Sequence, residues 1–314
     1  MTYRIAFQMD PMEHVDIDAD TTFALAEVAA ARGYEMFEYG PEHLSYNAGR
    51  VQANARPMSV RREQGNHVSF GPRRLIDLEE DVDVVWMRQD PPFDMAYITA
   101  AHILERLKGK TLVCNDPEWV RSCPEKILPL DYPELMPETL ITRDKSAVDA
   151  FRVKHKDIIL KPLFGNGGAG VFLVKEGDGN YASLIEMFTE SSREPFIAQA
   201  FLKEVTKGDK RIIIIDGEAV GAINRVPQKG ETRSNMHVGG QAVPTELTKT
   251  DMIICDAIGP MLKARGQILV GIDVIGTKMT EINITSPTGV QELKRFSGID
   301  AASLAWDAIE QKLS

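Results

Sequence analysis

The sequence has few cysteines and no long apolar run. Its 314 residues include three cysteines, Cys114, Cys123 and Cys255, at scattered spacing and without a CxxC pair, so we expect reduced thiols. The N-terminal residues MTYRIAFQMDP lack the basic region and sustained apolar run of a signal peptide. No apolar segment approaches the roughly 20 residues needed to cross a bilayer. These absences predict a cytoplasmic protein with no membrane partner.

Basic residues are in deficit. The sequence has 36 Lys and Arg against 46 Asp and Glu, which gives a formal charge of −10. Such a balance favours solubility and argues against nucleic acid as a partner. Hydrophobic residues make up 43% and charged residues 26%, as in ordinary globular proteins. The length predicts about two domains, or three small ones.

The first third of the sequence alternates predicted strands with predicted helices. The predicted strands are residues 3–8, 34–39, 83–88 and 111–115, and the predicted helices are about 20–32 and 95–108. Alternation of this kind predicts a parallel sheet with helices packed on it, an α/β Rossmann-like domain. The polar, arginine-rich residues 45–72 predict a hairpin or an excursion from this sheet.

From about residue 123 the pattern changes. Strands such as DIILKPL, PFIAQAFL and RIIIIDGEAVGAINRV are joined by glycine-containing turns. Helices are predicted at about 144–154, 180–190, 248–265 and 300–313. This order lacks βαβ regularity and predicts α+β lobes. Residues 227–243 have little apolar content and three glycines, which is typical of an active-site lid or of an idle surface loop.

The stretch GNGGAG, residues 165–170, matches the residue pattern of the dinucleotide fingerprint GxGxxG but not the secondary structure that the fingerprint requires. That fingerprint requires a helix after the glycines, whereas VFLVK predicts another strand. A glycine-rich hairpin can still cover phosphates with its backbone N–H groups, and Lys161 would add a positive charge. A flexible turn beside a solvated lysine remains the alternative at this point.

The stretch VGIDVIGTKMTEINITSP, residues 270–287, predicts a hairpin with acidic residues on it. A three-residue loop from Gly276 to Lys278 places Asp273 opposite Glu281, and alternation puts Glu281 and Asn283 on one face. Opposed carboxylates repel unless a cation lies between them, and Mg²⁺ prefers such oxygen ligands. The alternatives are a Mg²⁺ site and a solvated hairpin face.

The order of these features resembles an ATP-grasp enzyme. Within that superfamily the sequence is similar to the prokaryotic glutathione synthetase family. The segments that carry the resemblance are MDP at 9–11, MRQDPPFD at 87–94, ILKPL at 159–163, GNGGAGVF at 165–172, GDKR at 208–211, GETR at 230–233, VGIDVIG at 270–276 and TEINITSPTG at 280–289. They extend over nearly the whole chain, so the resemblance includes more than a nucleotide site.

The resemblance implies roles for individual residues. The implied ATP-binding residues are Lys126, Lys161, Gly165, Gly167, Gly168, Gly170, the hinge from Gln199 to Leu202, and Asp209. The implied metal ligands are Asp273, Glu281 and Asn283, for Mg²⁺ or alternatively Mn²⁺. The implied catalytic residues are Arg211, Arg225 and Arg233, and the implied substrate-binding residues are Arg88 and Ser286.

The resemblance also implies a domain division and a reaction. An N-terminal pre-ATP-grasp substrate domain is expected at residues 1–122, a small ATP-grasp lobe at 123–200, and a large lobe at 201–314 with a mobile lid at about 227–241. The implied enzyme is a ligase that joins glycine to γ-glutamylcysteine. ATP first converts the free carboxylate to an acyl phosphate, and glycine then displaces phosphate to give glutathione. The implied assembly is a homo-oligomer, a tetramer.

Three positions depart from the family's common forms MRKDPP, KPLDG and SPTC. The residues at these positions are Gln89, Phe164 and Gly289. None is an implied metal ligand or phosphate-binding lysine, so the departures bear on substrate preference rather than on ATP chemistry. Two alternatives therefore remain: another ATP-grasp carboxylate-amine ligase, and an ATP-binding module without turnover.

Overall fold

The computed structural model describes residues 2–228, 231, 233–234 and 239–314. The helices are α1 Thr21–Ala31, α2 Met95–Leu104, α3 Pro117–Ser122, α4 Lys145–His155, α5 Tyr181–Ser191, α6 Lys249–Ala264, α7 Val290–Ser297 and α8 Ala301–Leu313. The strands up to residue 114 are β1 Arg4–Gln8, β2 Glu35–Tyr39, β3 Leu44–Asn47, β4 Arg50–Val60, β5 Val68–Phe70, β6 Arg74–Asp77, β7 Val84–Met87 and β8 Leu112–Cys114. The later strands are β9 Thr139–Thr142, β10 Ile158–Pro162, β11 Phe172–Val174, β12 Phe196–Ala200, β13 Asp209–Ile215, β14 Glu218–Val226, β15 Gln241–Pro244, β16 Leu269–Ile275 and β17 Lys278–Asn283.

The first sheet has the predicted parallel centre. Strands β2, β1, β7 and β8 are neighbours in that order and run parallel. The predicted excursion is the antiparallel strand β4, which pairs with β2 and carries β3, β5 and β6. Side-chain caps start the helices: Asp20 accepts from the N–H of Phe23, and Asp94 from that of Ala96. Because β1 and β7 are parallel, their carboxyl ends at Gln8 and Met87 open on the same edge.

The second sheet is antiparallel, with the order β11, β10, β12, β9. Its apolar face packs against α4 and α5, and the core between them includes Val148, Phe151, Ile185 and Phe188. The edge pair β10 and β11 is joined by the GNGGAG turn. Strand follows strand here, as predicted, so this turn is a flap on a sheet edge rather than the start of a helix.

The third sheet is antiparallel, with the order β15, β14, β13, β16, β17. Helix α6 begins with a capping box formed by Thr248 and Asp251. It packs through Ile254, Ile258 and Leu262 on a core that includes Ile212 and Ile272 of the sheet. The predicted sequence of helices and strands in this part of the chain is therefore close to the one observed.

The β16–β17 hairpin differs from the prediction in the length of its loop but not in the pairing of Asp273 with Glu281. The predicted three-residue loop is wrong, because Ile275 pairs with Lys278 across a two-residue turn. A bulge after Asp273 then shifts the register by one residue, and Asp273 faces Glu281 as predicted. The extra residue lies in the strand rather than in the loop.

The C-terminal helix α8 packs against α1 and β13, and it reaches β7 of the first sheet through Trp306. The indole of Trp306 donates to the carbonyl of Leu25 at 2.9 Å, and its ring contacts the rings of Trp86 and Tyr34 edge-on. The two ends of the chain therefore share one core. The division at residues 122 and 200 stays a prediction. Within the described part of the chain, no helix combines the length and the apolar character needed to cross a membrane.

Candidate active site

A cleft lies between the second and third sheets. Its cavity volume is about 100 Å³. The residues that line it are Ile159, Lys161, Val171, Gln199, Ala200, Phe201, Leu202, Val205, Asp209, Arg233, Ser234, Asp273, Ile275, Thr280 and Glu281. Nine of these belong to the predicted site or its hinge, although they come from segments more than 100 residues apart in the sequence.

Two buried lysines meet a carboxylate at one end of the cleft. Lys161 on β10 places its Nζ 3.4 Å from an oxygen of Glu281, and the Nζ of Lys126 lies 3.8 Å from the same oxygen. Lys126 also donates to the carbonyl of Gly165. Burial lowers the pKa of Lys161, and the nearby Glu281 opposes that effect. Two cations beside one carboxylate leave a net positive charge at this end, which favours an anion such as phosphate.

The glycine flap closes over these lysines, and three of its residues have positive φ. These residues are Gly167 at 62°, Gly168 at 82° and Gly170 at 70°, a conformation that favours glycine. At Gly165 a Cβ would lie 2.6 Å from the ring of Pro162, so a side chain would collide there. The flap and the lysines line a second, smaller cavity, which shares Lys161, Val171 and Glu281 with the cleft.

The predicted adenine hinge begins on β12, the strand that pairs with the Lys161 strand β10 in the second sheet. Strand β12 ends at Ala200, and residues 199–202 follow the cleft wall. The side-chain amide of Gln199 donates to the hydroxyl of Thr139 at 2.8 Å, which ties the hinge to β9. Ile159, Val171 and Ile275 give the wall an apolar character suited to an aromatic base.

Asp273 stands at the centre of a buried charge cluster. Arg211 donates to both of its oxygens, at 2.6 and 3.2 Å, and Arg225 approaches one oxygen at 3.0 Å. Although burial acts to raise it, these two guanidinium groups hold the pKa of Asp273 well below its ordinary value. Asp273 is therefore ionised over the whole working pH range.

Asp209 also belongs to this cluster, but its pKa shifts in the opposite direction from that of Asp273. It accepts from Arg225 at 2.5 Å and from the hydroxyl of Ser234 at 3.0 Å. Burial, reinforced by the negative charge of Asp273, raises the pKa of Asp209 to about 6, and Arg225 opposes the rise. Arg233 also lines the cleft, and it pairs with Glu231 at 2.7 Å. The predicted lid at 227–241 is described only in part, since residues 229, 230, 232 and 235–238 lie outside the described residues.

The predicted metal ligands lie on adjacent strands. Asp273 on β16 faces Glu281 on β17, and Asn283 lies two residues further along β17. The amide of Asn283 donates to the carbonyl of Gly271 at 3.1 Å, which leaves its oxygen for another partner. Two carboxylates and one amide oxygen fit a hard divalent ion whose remaining ligands come from phosphates. Among the described residues, no group of three or more His, Cys, Asp or Glu side chains could hold a metal by itself.

The two predicted substrate-binding residues meet at the carboxyl edge of the first sheet. Arg88 follows β7 and is buried, and it donates to the hydroxyl of Thr22 at 3.0 Å and to the carbonyl of Pro287 at 3.2 Å. Ser286 donates to the carbonyl of Arg88 at 3.3 Å. Burial lowers the pKa of Arg88, and within the described chain it forms no ion pair with a carboxylate. A buried cation in this position suits an anionic substrate group.

Sequence reasoning missed two residues that join these parts. One oxygen of Glu125 accepts from the N–H of Ile284 at 3.0 Å and from the N–H and hydroxyl of Thr285 at 3.1 and 2.7 Å. The amide of Asn115 donates to the carbonyls of Leu269 and Ile284, both at 2.8 Å. Neither residue lies in a recognisable motif, because their partners are more than 150 residues away. The adjacency of Glu125 to Lys126 was the only available signal.

Comparison with known proteins identifies the family of this chain. The family model of the prokaryotic glutathione synthetase ATP-grasp domain matches residues 125–298, and that of the N-terminal domain of the same family matches residues 3–121. The chain belongs to the prokaryotic glutathione synthetase family. The predicted family, fold class and enzyme class, a ligase of ATP-grasp fold, are therefore confirmed.

Individual members of the glutathione synthetase family align over their full lengths. A glutathione synthetase of Mesorhizobium japonicum is 59% identical, and the alignment covers 99% of each chain. A glutathione synthetase of Salmonella typhimurium is 42% identical, again with 99% of each chain covered. This agreement includes the N-terminal domain.

Solved structures support the fold at lower sequence identity. The crystal structure of D-cycloserine synthetase DcsG superimposes with a TM-score of 0.69 at 15% identity, over 99% of this chain and 100% of that one. The ATP-grasp ligase PsnB, bound to a minimal precursor, gives a TM-score of 0.63 at 18% identity and 99% coverage of each chain. At these identities the likeness shows the ATP-grasp fold alone.

Proposed function

We propose that this protein is a glutathione synthetase, which joins the cysteinyl carboxylate of γ-glutamylcysteine to the amine of glycine. ATP activates the carboxylate as an acyl phosphate, and glycine displaces phosphate to leave glutathione, ADP and phosphate. The observation that carries the proposal is the meeting of Arg88 with Ser286. It joins the family's N-terminal substrate segment to the end of strand β17, beside the nucleotide cleft.

The nucleotide lies in the cleft between the second and third sheets. Adenine packs between the hinge at Gln199–Leu202 and Ile275, and the triphosphate extends toward Lys126 and Lys161. The N–H groups of the flap glycines Gly165, Gly167, Gly168 and Gly170 add hydrogen bonds to the phosphates. Asp209 lies on the ribose side. A cavity of about 100 Å³ is smaller than usual for a cofactor site, so the flap moves outward when ATP enters.

Asp273, Glu281 and Asn283 hold a divalent ion, for which Mg²⁺ is proposed and Mn²⁺ is the alternative. A bound divalent ion neutralises phosphate charge and stabilises the charge that develops during phosphoryl transfer. The protein supports this site through Arg211 and Arg225, which keep Asp273 ionised. Lys126 and Lys161 keep Glu281, the proposed ligand on β17, paired with positive charge.

The chain's own catalytic contribution is electrostatic and positional. Arg211, Arg225 and Arg233 surround the place where the acid carboxylate meets the γ-phosphate. Their positive charges stabilise the charge on the transferred group, while the walls of the cleft hold the reactants in line. Exclusion of water by the lid protects the acyl phosphate from hydrolysis. No protein nucleophile takes part.

The acid substrate is held at the carboxyl edge of the first sheet. The buried guanidinium of Arg88 supplies the charge for a substrate carboxylate, and Ser286 supplies a hydroxyl. The proposal includes a cytoplasmic location and a homo-oligomer, a tetramer by family resemblance. It includes neither nucleic acid nor membrane among the partners.

The direct test is ADP release by the purified protein with Mg-ATP and γ-glutamylcysteine, with and without glycine. We expect release that depends on glycine, and a product with the mass of glutathione in the same tube. Arg88→Lys provides a sharp variant, because lysine keeps the charge but loses the two separate contacts with Thr22 and Pro287. ADP release that does not depend on glycine, or a product of another mass, contradicts the substrate assignment. The assignment of the ATP-grasp fold is unaffected by either result.

A further inference from the structure

An aromatic contact joins the segment 88–94 after β7, called the substrate loop because it carries Arg88, to the glycine flap. Phe93, in the segment after β7, stacks on Phe164, the residue that precedes the flap glycines. The ring centroids are 5.9 Å apart and the planes meet at 28°. This spacing lies within the range of attractive aromatic pairs.

Each ring is attached to a different functional part. Phe93 precedes the N-cap of α2, packs on the core of the first sheet, and contacts the ring of Tyr97 at 5.3 Å. Phe164 is followed directly by Gly165, whose carbonyl accepts from Lys126. A shift of Phe164 therefore moves both the base of the flap and the partner of a phosphate-binding lysine.

Phe164 gains little from its own lobe. It is half-buried, and the described core of the second sheet, built from residues such as Val148, Phe151 and Phe196, does not include it. Phe164 is also one of the positions at which this sequence departs from the family form. A large apolar ring at the flap base thus finds its aromatic partner in the other domain.

We propose that the Phe93–Phe164 stack is a positioning contact that couples nucleotide binding to binding of the acid substrate. The stack holds the flap base against the substrate loop before either ligand arrives, so less of the flap remains to be ordered when nucleotide binds. By the same linkage, an acid bound at the loop fixes Phe93 and strengthens nucleotide binding. The substrate half of this inference rests on the proposed function.

A double-mutant cycle with Phe93→Leu, Phe164→Leu and both together tests the coupling. Two quantities are measured: the dissociation constant of Mg-ADP by calorimetry without acid substrate, and the KM and kcat with γ-glutamylcysteine. An aromatic pair contributes about 0.5–1.5 kcal/mol, which corresponds to changes of roughly 2- to 12-fold. We expect Phe93→Leu to weaken Mg-ADP binding by such a factor, and Phe164→Leu to raise the KM for the acid.

The cycle and its controls decide between coupling and a merely local role. We expect the double variant to be no worse than either single variant, and Phe164→Tyr, which keeps the ring, to behave as wild type. Phe172→Leu is the matched control, because that ring contacts Phe188 within its own lobe, at 6.1 Å. It should leave the acid KM unchanged.

Two results would overturn the coupling: unaltered Mg-ADP affinity in Phe93→Leu, or effects of the two substitutions that simply add. If Phe164→Leu fails to fold, the Mg-ADP measurement on Phe93→Leu carries the test alone. Failure of the proposed function is recognised separately, as wild-type protein that releases no ADP with γ-glutamylcysteine and glycine. The Mg-ADP measurement still decides the role of the stack in that case.

Discussion

At the scale of single residues, the site depends on buried charges that neutralise one another. Asp273 and Asp209 face Arg211 and Arg225, and the side chains of all four are at least nine-tenths buried. A buried charge costs several kcal/mol unless a partner and hydrogen bonds compensate it. The two carboxylates are nevertheless unequal, because the pKa of Asp273 is lowered and that of Asp209 is raised. This inequality leads to two predictions.

Asp273→Asn should destabilise the fold and abolish ligation. It leaves Arg211 and Arg225 with only Asp209 as an ionised partner, and breaking a buried pair costs about 3–5 kcal/mol. The measurement is urea unfolding at pH 7 together with ADP release. Asp209→Asn is the matched control and should cost only about 1 kcal/mol, because an amide oxygen can still accept from Ser234. Equal losses of stability would contradict the assigned difference between the two carboxylates.

Asp209 should also give stability a distinctive pH dependence. Its pKa in the folded state is about 6, above the ordinary value of 3.8, so the folded state binds more protons between these values. Its contribution to stability is therefore fully present below about pH 4 and is lost as pH rises through about 6. The free energy of unfolding of wild type minus that of Asp209→Asn should fall over this window. A difference that stays flat, or rises, refutes the raised pKa.

At the scale of secondary-structure elements, the exit of β17 organises the site. This strand carries Glu281 and Asn283, and the residues after it reach Arg88 through Ser286 and Pro287. Its course is fixed by Glu125, whose backbone carbonyl accepts from the N–H of Ile282 at 3.0 Å and whose side chain receives three further donors. The strand end is therefore held by a residue that lies about 160 positions earlier in the sequence.

Replacing Glu125 separates the role of its hydrogen bonds from that of its charge. Glu125→Ala leaves three buried donors unpaired, and at about 1–3 kcal/mol each we expect a loss of at least 3 kcal/mol in the free energy of unfolding. Glu125→Gln keeps an oxygen in the same place, so it should restore most of that loss. Urea unfolding provides the comparison, with Glu118→Ala on the surface of α3 as a control. A glutamine variant as unstable as the alanine variant would show that charge, not hydrogen bonding, is decisive.

At the scale of the whole molecule, the last helix closes the fold onto the first domain. Helix α8 contributes Trp306 to a core that also contains Trp86 and Leu25. On the surface nearby, Arg32 pairs with Asp307 at 2.7 Å and also with Glu310. The N-terminal part of the chain therefore completes its core only after the chain has returned from the second and third sheets.

Trp306→Ala tests this closure. Removing a fully buried indole leaves a cavity, and we expect about 3–5 kcal/mol of destabilisation. Because the helix anchors the first domain, the loss should appear in one cooperative unfolding transition that includes that domain. Leu304→Ala, at an exposed position on the same helix, should cost less than about 1 kcal/mol. Thermal or urea unfolding of the two variants gives the comparison, and similar midpoints would contradict a shared core.

The sequence by itself determined the local features. The glycine turn and the alternation of Glu281 with Asn283 depend on neighbours within a few residues, so periodicity and turn chemistry predict them. Family resemblance extended the prediction to nine of the residues that line the cleft. Even the pairing of Asp273 with Glu281 was predicted, although the assumed loop was wrong and a bulge supplied the missing residue.

Only the tertiary structure decided how the distant segments meet. The pairing of Asp273 with Arg211 and Arg225, the clamp of Glu125 on Thr285, the stack of Phe93 on Phe164 and the return of α8 to the first domain all join segments that sequence patterns treat separately. When whole elements pack together, burial of apolar surface favours these contacts, and pairing of opposite charges offsets the cost of desolvating them. That energy depends on which surfaces come into contact in three dimensions, and no local pattern records it.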